Sequence, residues 1–183
     1  AQDFHIGLDD SNDSLTIGLG STLGTTSHMV IDANGHVTMP SQPACLAKPT
    51  ANQTNIGVNS NVLINFATEI FDQNGDYDTS TSTFTAPVTG RYQLSFALRV
   101  DNFDGASAYY SFFLNTSNRT ISYLMNPDIG TSSGQDVDRF PAVLSMLVDM
   151  DAGDTANVKV YQSGGTAQTD IIADSVFSGF LAC

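Results

Sequence analysis

Three histidines, two cysteines and nineteen acidic residues hold most of the reactive chemistry of this 183-residue chain. His5, His28 and His36 all precede residue 37, so a Ser-His-Asp triad or a Cys-His pair in the remaining sequence would have no base of its own. Cys45 and Cys183 lack metal-ligand spacing and the histidines stand apart from one another, which leaves no zinc pattern. Paired carboxylates could hydrolyse a glycan. Most of the aspartates, however, fall in turn sequences, where the side chain caps nearby backbone N–H groups. The inventory reads as a protein that is not an enzyme.

A hard cation suits these carboxylates better, because calcium collects several oxygens from one loop. Asp72, Asp76 and Asp78 lie in Asp72-Gln-Asn-Gly-Asp-Tyr-Asp78, a candidate loop in which Gly75 is misplaced for an EF-hand and no bidentate Glu follows. A solvated hairpin turn is the competing reading. For Cys45 and Cys183 two readings are also open. If they end paired first and last strands, a disulfide would close nearly the whole domain and be worth about 5 kcal/mol. Otherwise they are two buried thiols. Asn52, Asn115 and Asn118 begin N-glycosylation sequons that an Asn- and Thr-rich chain produces by chance.

The elements that must carry these residues are strands. One Glu and two Lys, with abundant Thr, Ser, Asn and Gly, make a composition poor in helix formers. The formal net charge of −13 excludes nucleic acid, whose affinity depends on cationic contacts to phosphate, and disfavours anionic membrane surfaces. No apolar run is long enough to span a bilayer, so membrane insertion is not expected. The chain starts at Ala1 without an initiator Met or a signal-peptide pattern, which reads as a processed form or a fragment.

Residues 1–43 form a segment of their own, with no Lys or Arg and a single aromatic, Phe4. Leu15, Ile17 and Leu19 alternate with Thr16, Gly18 and Gly20 as in a strand. Met29–Ile31 and Val37–Met39 flank Ala33-Asn-Gly35, a strong hairpin signal. The apolar content is too small for independent folding. The segment is therefore either disordered or ordered by winding with copies of itself, and the regular alternation favours the second. Asp13-Ser-Leu-Thr-Ile-Gly-Leu-Gly20 and Met29-Val-Ile-Asp-Ala-Asn-Gly-His-Val37 resemble short modules of phage tail fibres and related bacterial surface fibres. Pro40 and Pro43 mark the boundary.

From residue 44 onward, short strands recur between turn-rich loops, the pattern of an all-β jelly-roll sandwich. The clearest starts at Gly90 and places Tyr92, Leu94, Phe96, Leu98 and Val100 on one face, with Arg91, Gln93, Ser95 and Arg99 on a wet one. Arg119 likewise reads as part of a wet surface. Val62, Ile64 and Phe66 read as a strand, as do Ala142–Met150 and Ala156–Gln162. Tyr109, Tyr110, Phe112 and Phe113 alternate between faces and read as core plus subunit seam, with sugar stacking as the alternative. The last strand is uncharged on both sides: Val176, Ser178 and Phe180 on one, Phe177, Gly179 and Leu181 on the other. Both faces are expected to be buried, one of them by another subunit, with Val176, Phe177, Phe180 and Leu181 as the trimer core.

Phe71-x5-Tyr77, Phe84-Thr-Ala-Pro-Val-Thr-Gly-Arg-Tyr-Gln-Leu-Ser-Phe96, Asp151-Ala-Gly-Asp154 and Ser175-Val-Phe-Ser-Gly-Phe-Leu181 occur in the order and spacing of complement C1q-like domains. This resemblance covers 44–183 and implies a ten-stranded, homotrimeric jelly roll related to tumour-necrosis-factor domains. It also implies that first and last strands are neighbours, with Cys45 near Cys183. In calcium-binding relatives the acidic ligands lie in a loop corresponding to Asn126–Arg139, which here holds Asp128, Asp136 and Asp138 as calcium candidates. No Gly-X-Y repeat precedes the domain, so a collagen stalk is excluded. The expected function is a trimeric receptor-recognition head at the tip of a phage tail fibre, located in the virion and contacting a host surface receptor. The alternatives are a secreted, extracellular C1q-like protein binding glycans or microbial surfaces, and a purely structural trimerisation cap. The sequence does not name the residues that bind the receptor.

Overall fold

The alternating patterns become strands in both parts of the chain. The structure is a computed structural model that describes residues 2–127 and 135–183; it holds sixteen strands and, among the described residues, no helix. Two compact units result, residues 1–42 and 43–183.

In the first unit, β1 (Phe4–Asp9), β2 (Ser14–Leu19), β3 (Ser27–Ile31) and β4 (Val37–Thr38) form one antiparallel sheet in sequence order. The β3–β4 turn is the expected hairpin, with Gly35 at φ 83 and Ile31 opposite Val37. Asp32 holds the turn, accepting from the N–H groups of Asn34 and His36 at 2.9 Å each. The two faces of the sheet differ. Residues 20–26 fold back over the side of Gly7, Thr16 and Gly18: a Cβ on Gly7 would meet Leu23 at 3.1 Å, and one on Gly18 would run into the Thr26 carbonyl. Ser14 and Thr16 are buried there, whereas Phe4, Ile6 and Leu8 project from the opposite face, exposed. Pairings Phe4↔Leu19, Ile6↔Ile17 and Leu8↔Leu15 extend that apolar face across the sheet. Among the described residues of this unit, none appears in the buried hydrophobic core.

The second unit is a sandwich of two sheets. Its strands are β5 (Ala44–Lys48), β6 (Asn61–Leu63), β7 (Thr68–Asp72), β8 (Tyr77–Asp78), β9 (Thr83–Thr85) and β10 (Gly90–Phe103). They continue with β11 (Tyr109–Thr116), β12 (Thr120–Met125), β13 (Val137–Met150), β14 (Thr155–Ser163), β15 (Asp170–Ile171) and β16 (Val176–Leu181). One sheet runs β13-β10-β16-β5-β7, with β15 added at β10; the other runs β12-β11-β14-β9-β8, with β6 added at β14. The two main paths supply the ten strands of a jelly roll. Between them lie Phe66, Phe84, Tyr92, Phe96, Phe103, Phe112 and Phe177, all fully buried. Phe177 sits 6.0 Å from Phe66 and 5.9 Å from Tyr77, ring centre to ring centre.

Two strands differ from the expectation for physical reasons. The run Val62–Phe66 keeps its strand only to Leu63. Beyond it Ile64 N still donates to Val158 O of β14 at 3.0 Å, and side chains hold the rest: Gln53 donates to Leu63 O and accepts from Asn65 N, and the Tyr77 hydroxyl donates to Phe66 O at 3.0 Å. Ile64 and Phe66 are both buried. In contrast, β13 begins at Val137, earlier than Ala142, and runs through Pro141. It lies at the edge of its sheet, where a proline costs no hydrogen bond to a second neighbour.

Candidate functional site

The outward face of the sheet containing the terminal strand is the most unusual surface of the second unit. Strand register makes it a grid. Val143, Ala97 and Val176 form one row; Ser145, Ser95, Ser178, Leu46 and Phe71 the next; Leu147, Gln93, Phe180 and Ala44 a third. No residue in these rows is charged. Val143, Leu147, Phe71 and Phe180 are large, apolar and exposed. The polar members satisfy one another: Ser95 and Ser178 hydroxyls lie 2.7 Å apart, and Gln93 Nε2 donates to Ser145 Oγ at 2.8 Å.

Charge appears only at the borders of the grid: Lys48, exposed at the end of β5 on the face of Ala44 and Leu46, and an arginine at each end. Arg99 lies opposite Pro141 at one end and pairs with Asp101 at 2.9 Å and Asp174 at 3.0 Å. Arg91 lies opposite Asp149 at the other. The expected wet face is thus wet at its ends and neutral in the middle. A flat, uncharged sheet surface with internally satisfied hydroxyls desolvates at little cost, which suits it to close contact with another surface.

Pleating divides the predicted trimer core between two environments. Phe177 is 1% exposed and packs inward against Phe96, so it belongs to the core of its own sandwich. Leu181 also leans inward, against that core. Phe180 is 48% exposed and, with Val176, points out onto the grid. Only the second pair is placed to meet another subunit.

The cysteines do not meet. Cys45 stands opposite Gly179, four positions before Cys183, a separation of about 13 Å along a strand. That exceeds the reach of a disulfide. Both thiols are free; Cys45 is buried in the core, and burial pushes its pKa up to about 12, while Cys183 is exposed.

The acidic loops are used differently from the calcium expectation. Asp72 accepts from the N–H groups of Gly75, Asp76 and Tyr77, at 2.9–3.1 Å. Asp76 receives the Asn74 amide, and its carboxyl is raised by burial first of all. Asp78 caps Ser80 and Thr81, which lowers its carboxyl. The three side chains tie down their own turns, and no cluster of three or more metal-ligating side chains occurs among the described residues. In the longer loop, Asp136 accepts from Gly105 N at 3.1 Å and Asp138 is exposed on β13. Asp128 lies outside the described residues.

Sequence reasoning missed a buried polar chain at the end of the sandwich where residues 104–107 and 162–169 meet. Asp104 N donates to the Tyr110 hydroxyl, which donates to Thr169 Oγ1, which donates to Gln162 Oε1. Gln162 Nε2 then serves Ser107 Oγ and the carbonyls of Gly164 and Thr166. Gln162 follows Ala156, Val158 and Val160 at the last inward position of β14, and that break in the apolar row was its only signal.

Comparison with known proteins agrees with this architecture. The C1q domain model matches residues 47–182. Among solved structures, the globular domain of zebrafish complement 1qA is similar at a TM-score of 0.55 and 16% identity, covering 78% of this chain and 98% of the other. No curated protein matches the chain. With most of its length matched and the two-sheet jelly roll in place, this chain belongs to the C1q domain family.

Proposed function

We propose that the chain is a homotrimeric receptor-recognition head at the tip of a fibre, in the tail of a phage, and that it acts by binding rather than by catalysis. The observation that carries this reading is the uncharged grid around Phe180, Val143 and Leu147. An apolar surface of this kind on a domain of this family calls for sister copies. The first unit supports it independently: its four-stranded sheet leaves Phe4, Ile6 and Leu8 uncovered and has no buried apolar core. Three such sheets with their bare faces together would supply the core that one lacks.

In this reading three equivalent heads engage a host-cell surface at once, and avidity multiplies weak single-site binding. Membership of the C1q family favours a second reading, a secreted, extracellular pattern-recognition protein. Sedimentation of the whole chain followed by adsorption to candidate host cells, with and without chelator, tests both. A trimer that adsorbs to bacteria supports the tail-fibre reading; a trimer that ignores bacteria while binding microbial glycans favours the second; a monomer overturns both. Loss of adsorption in chelator, restored by calcium and abolished by Asp136→Asn or Asp138→Asn, would support calcium at the Asn126–Arg139 loop.

A further inference from the structure

The second sheet has a trough on the face turned away from the core. Ser111 is the cause. Along one row Leu124, Ser111, Tyr161 and Asn61 stand side by side, and the small serine leaves a dip between larger neighbours. Tyr109 and Tyr161 line it with stacked rings, 5.9 Å between centres and 22° between planes. This hollow measures about 300 Å³. A second, of about 240 Å³, adjoins it and shares Asn61 and Phe113; Asn115, Thr120 and Lys159 complete its lining. One half of the trough is therefore aromatic and the other amide, hydroxyl and ammonium.

Two features show that the polar half is uncommitted. Asn115 Oδ1 accepts from Thr120 Oγ1 at 2.9 Å, which fixes the amide, but Asn115 Nδ2 has no partner. Asn157, directly across on β14, has an equally unpartnered Oδ1. Both atoms are shielded from water, where an unmade hydrogen bond is costly. Rotation of Asn157, or release of Asn115 from Thr120, would offer either group a ligand hydroxyl, which accepts from an amide N–H and donates to an amide oxygen alike. Lys159 lies opposite Phe113 and makes no ion pair among the described residues. No carboxylate lines either hollow, in a chain with nineteen acidic residues.

We infer that this trough binds an acidic saccharide, one sugar ring lying against the Tyr109–Tyr161 aromatics while Lys159 takes its acidic substituent and the asparagines take hydroxyls. A sugar ring has an apolar C–H face and an edge of hydroxyls, which matches the two halves. A nucleic acid also stacks on aromatics, but a polyphosphate needs several cationic contacts and Lys159 is the one cation in the lining of the two hollows, enough for a single acidic substituent. The trough is on the sheet opposite the uncharged grid, so a trimer closed through the grid keeps three troughs open. This inference rests on the recognition-head reading and names the ligand class for it.

The test uses the full chain on immobilised oligosaccharides: neutral ones, sialylated protein glycans, and uronic-acid-bearing bacterial polysaccharides. The wild type binds acidic members, and the two acidic groups separate the sources. Tyr161→Ala weakens binding at least about tenfold, the scale of one aromatic contact. Lys159→Gln, a milder change at a half-exposed position, lowers binding of acidic members about tenfold and leaves neutral ones unchanged. Sedimentation and Tm of both variants should match the wild type. Wild-type chain that binds none of the panel, or a folded Lys159→Gln variant with full affinity for acidic members, overturns the inference. If such chains still adsorb to host cells as trimers, the head reading survives without it; if the wild type is monomeric and adsorbs to no cell, that reading fails.

Discussion

The Tyr110 hydroxyl and Thr169 Oγ1 lie 2.6 Å apart inside the sandwich, and this contact joins the start of β11 to the loop before β15, 59 residues away in sequence. Tyr110 receives the Asp104 N–H on the same oxygen at 2.9 Å. Tyr110→Phe keeps the ring, which stacks 4.0 Å from Phe103, and removes only the oxygen. Two buried groups then lose their partner. The expected cost is about 1–3 kcal/mol, read by urea unfolding of the folded variant. A Tyr110→Phe protein as stable as the wild type would mean that the chain of hydrogen bonds is incidental.

Phe177 and Phe180 are three positions apart and should report on different things. Phe177→Ala empties a site in the intramolecular core and is expected to cost about 3–5 kcal/mol of domain stability. Phe180→Asp puts a charge into the centre of the neutral grid, where the folded domain tolerates it and a sister copy does not. Sedimentation should show Phe180→Asp as folded monomer. Trimer from that variant would move the assembly surface elsewhere.

The pair also shows what the sequence could convey. Alternation along 176–181 placed Phe177 and Phe180 on opposite faces, and their neutral surroundings pointed to two buried faces; both inferences needed only local pattern. Which face meets the core was not legible, because it is set by pairing of Phe177 with Phe96 across strands distant in sequence. The same limit explains the cysteines: adjacency of first and last strands was implied by family resemblance, but a four-residue register offset, invisible locally, separates the thiols. The Tyr109–Tyr161 trough was half visible. Tyr109 and Phe113 stood out, while Tyr161, the serine that makes the dip and the lysine opposite Phe113 became their neighbours only through the β11–β14 ladder.

The two thiols should react at very different rates. Cys183 is exposed beyond the end of β16, whereas Cys45 faces the core and stays protonated at ordinary pH. The thiolate is the reactive species. A chromogenic disulfide reagent at pH 8 should titrate one thiol rapidly in native protein and the second only on unfolding. Rapid reaction of both would show that the core opens around Cys45, and reaction of neither would place Cys183 in a contact.

Alkali should destabilise the sandwich. Burial is the leading cause of a raised pKa at Cys45, Tyr77, Tyr92 and Tyr110. Each is neutral when protonated, so a raised folded pKa means that the unfolded chain releases its proton first as pH climbs. Stability from these groups is complete below their unfolded values and is lost as pH rises toward the folded ones. For Cys45 that window opens near the ordinary 9.0 and closes at about 12. Urea midpoints measured from pH 7 to 11 should therefore hold level to about pH 8.5 and then fall. Cys45→Ala, which removes the earliest of these ionisations, should delay the onset of the fall. A midpoint independent of pH up to 11 would mean that these groups reach solvent in the folded protein.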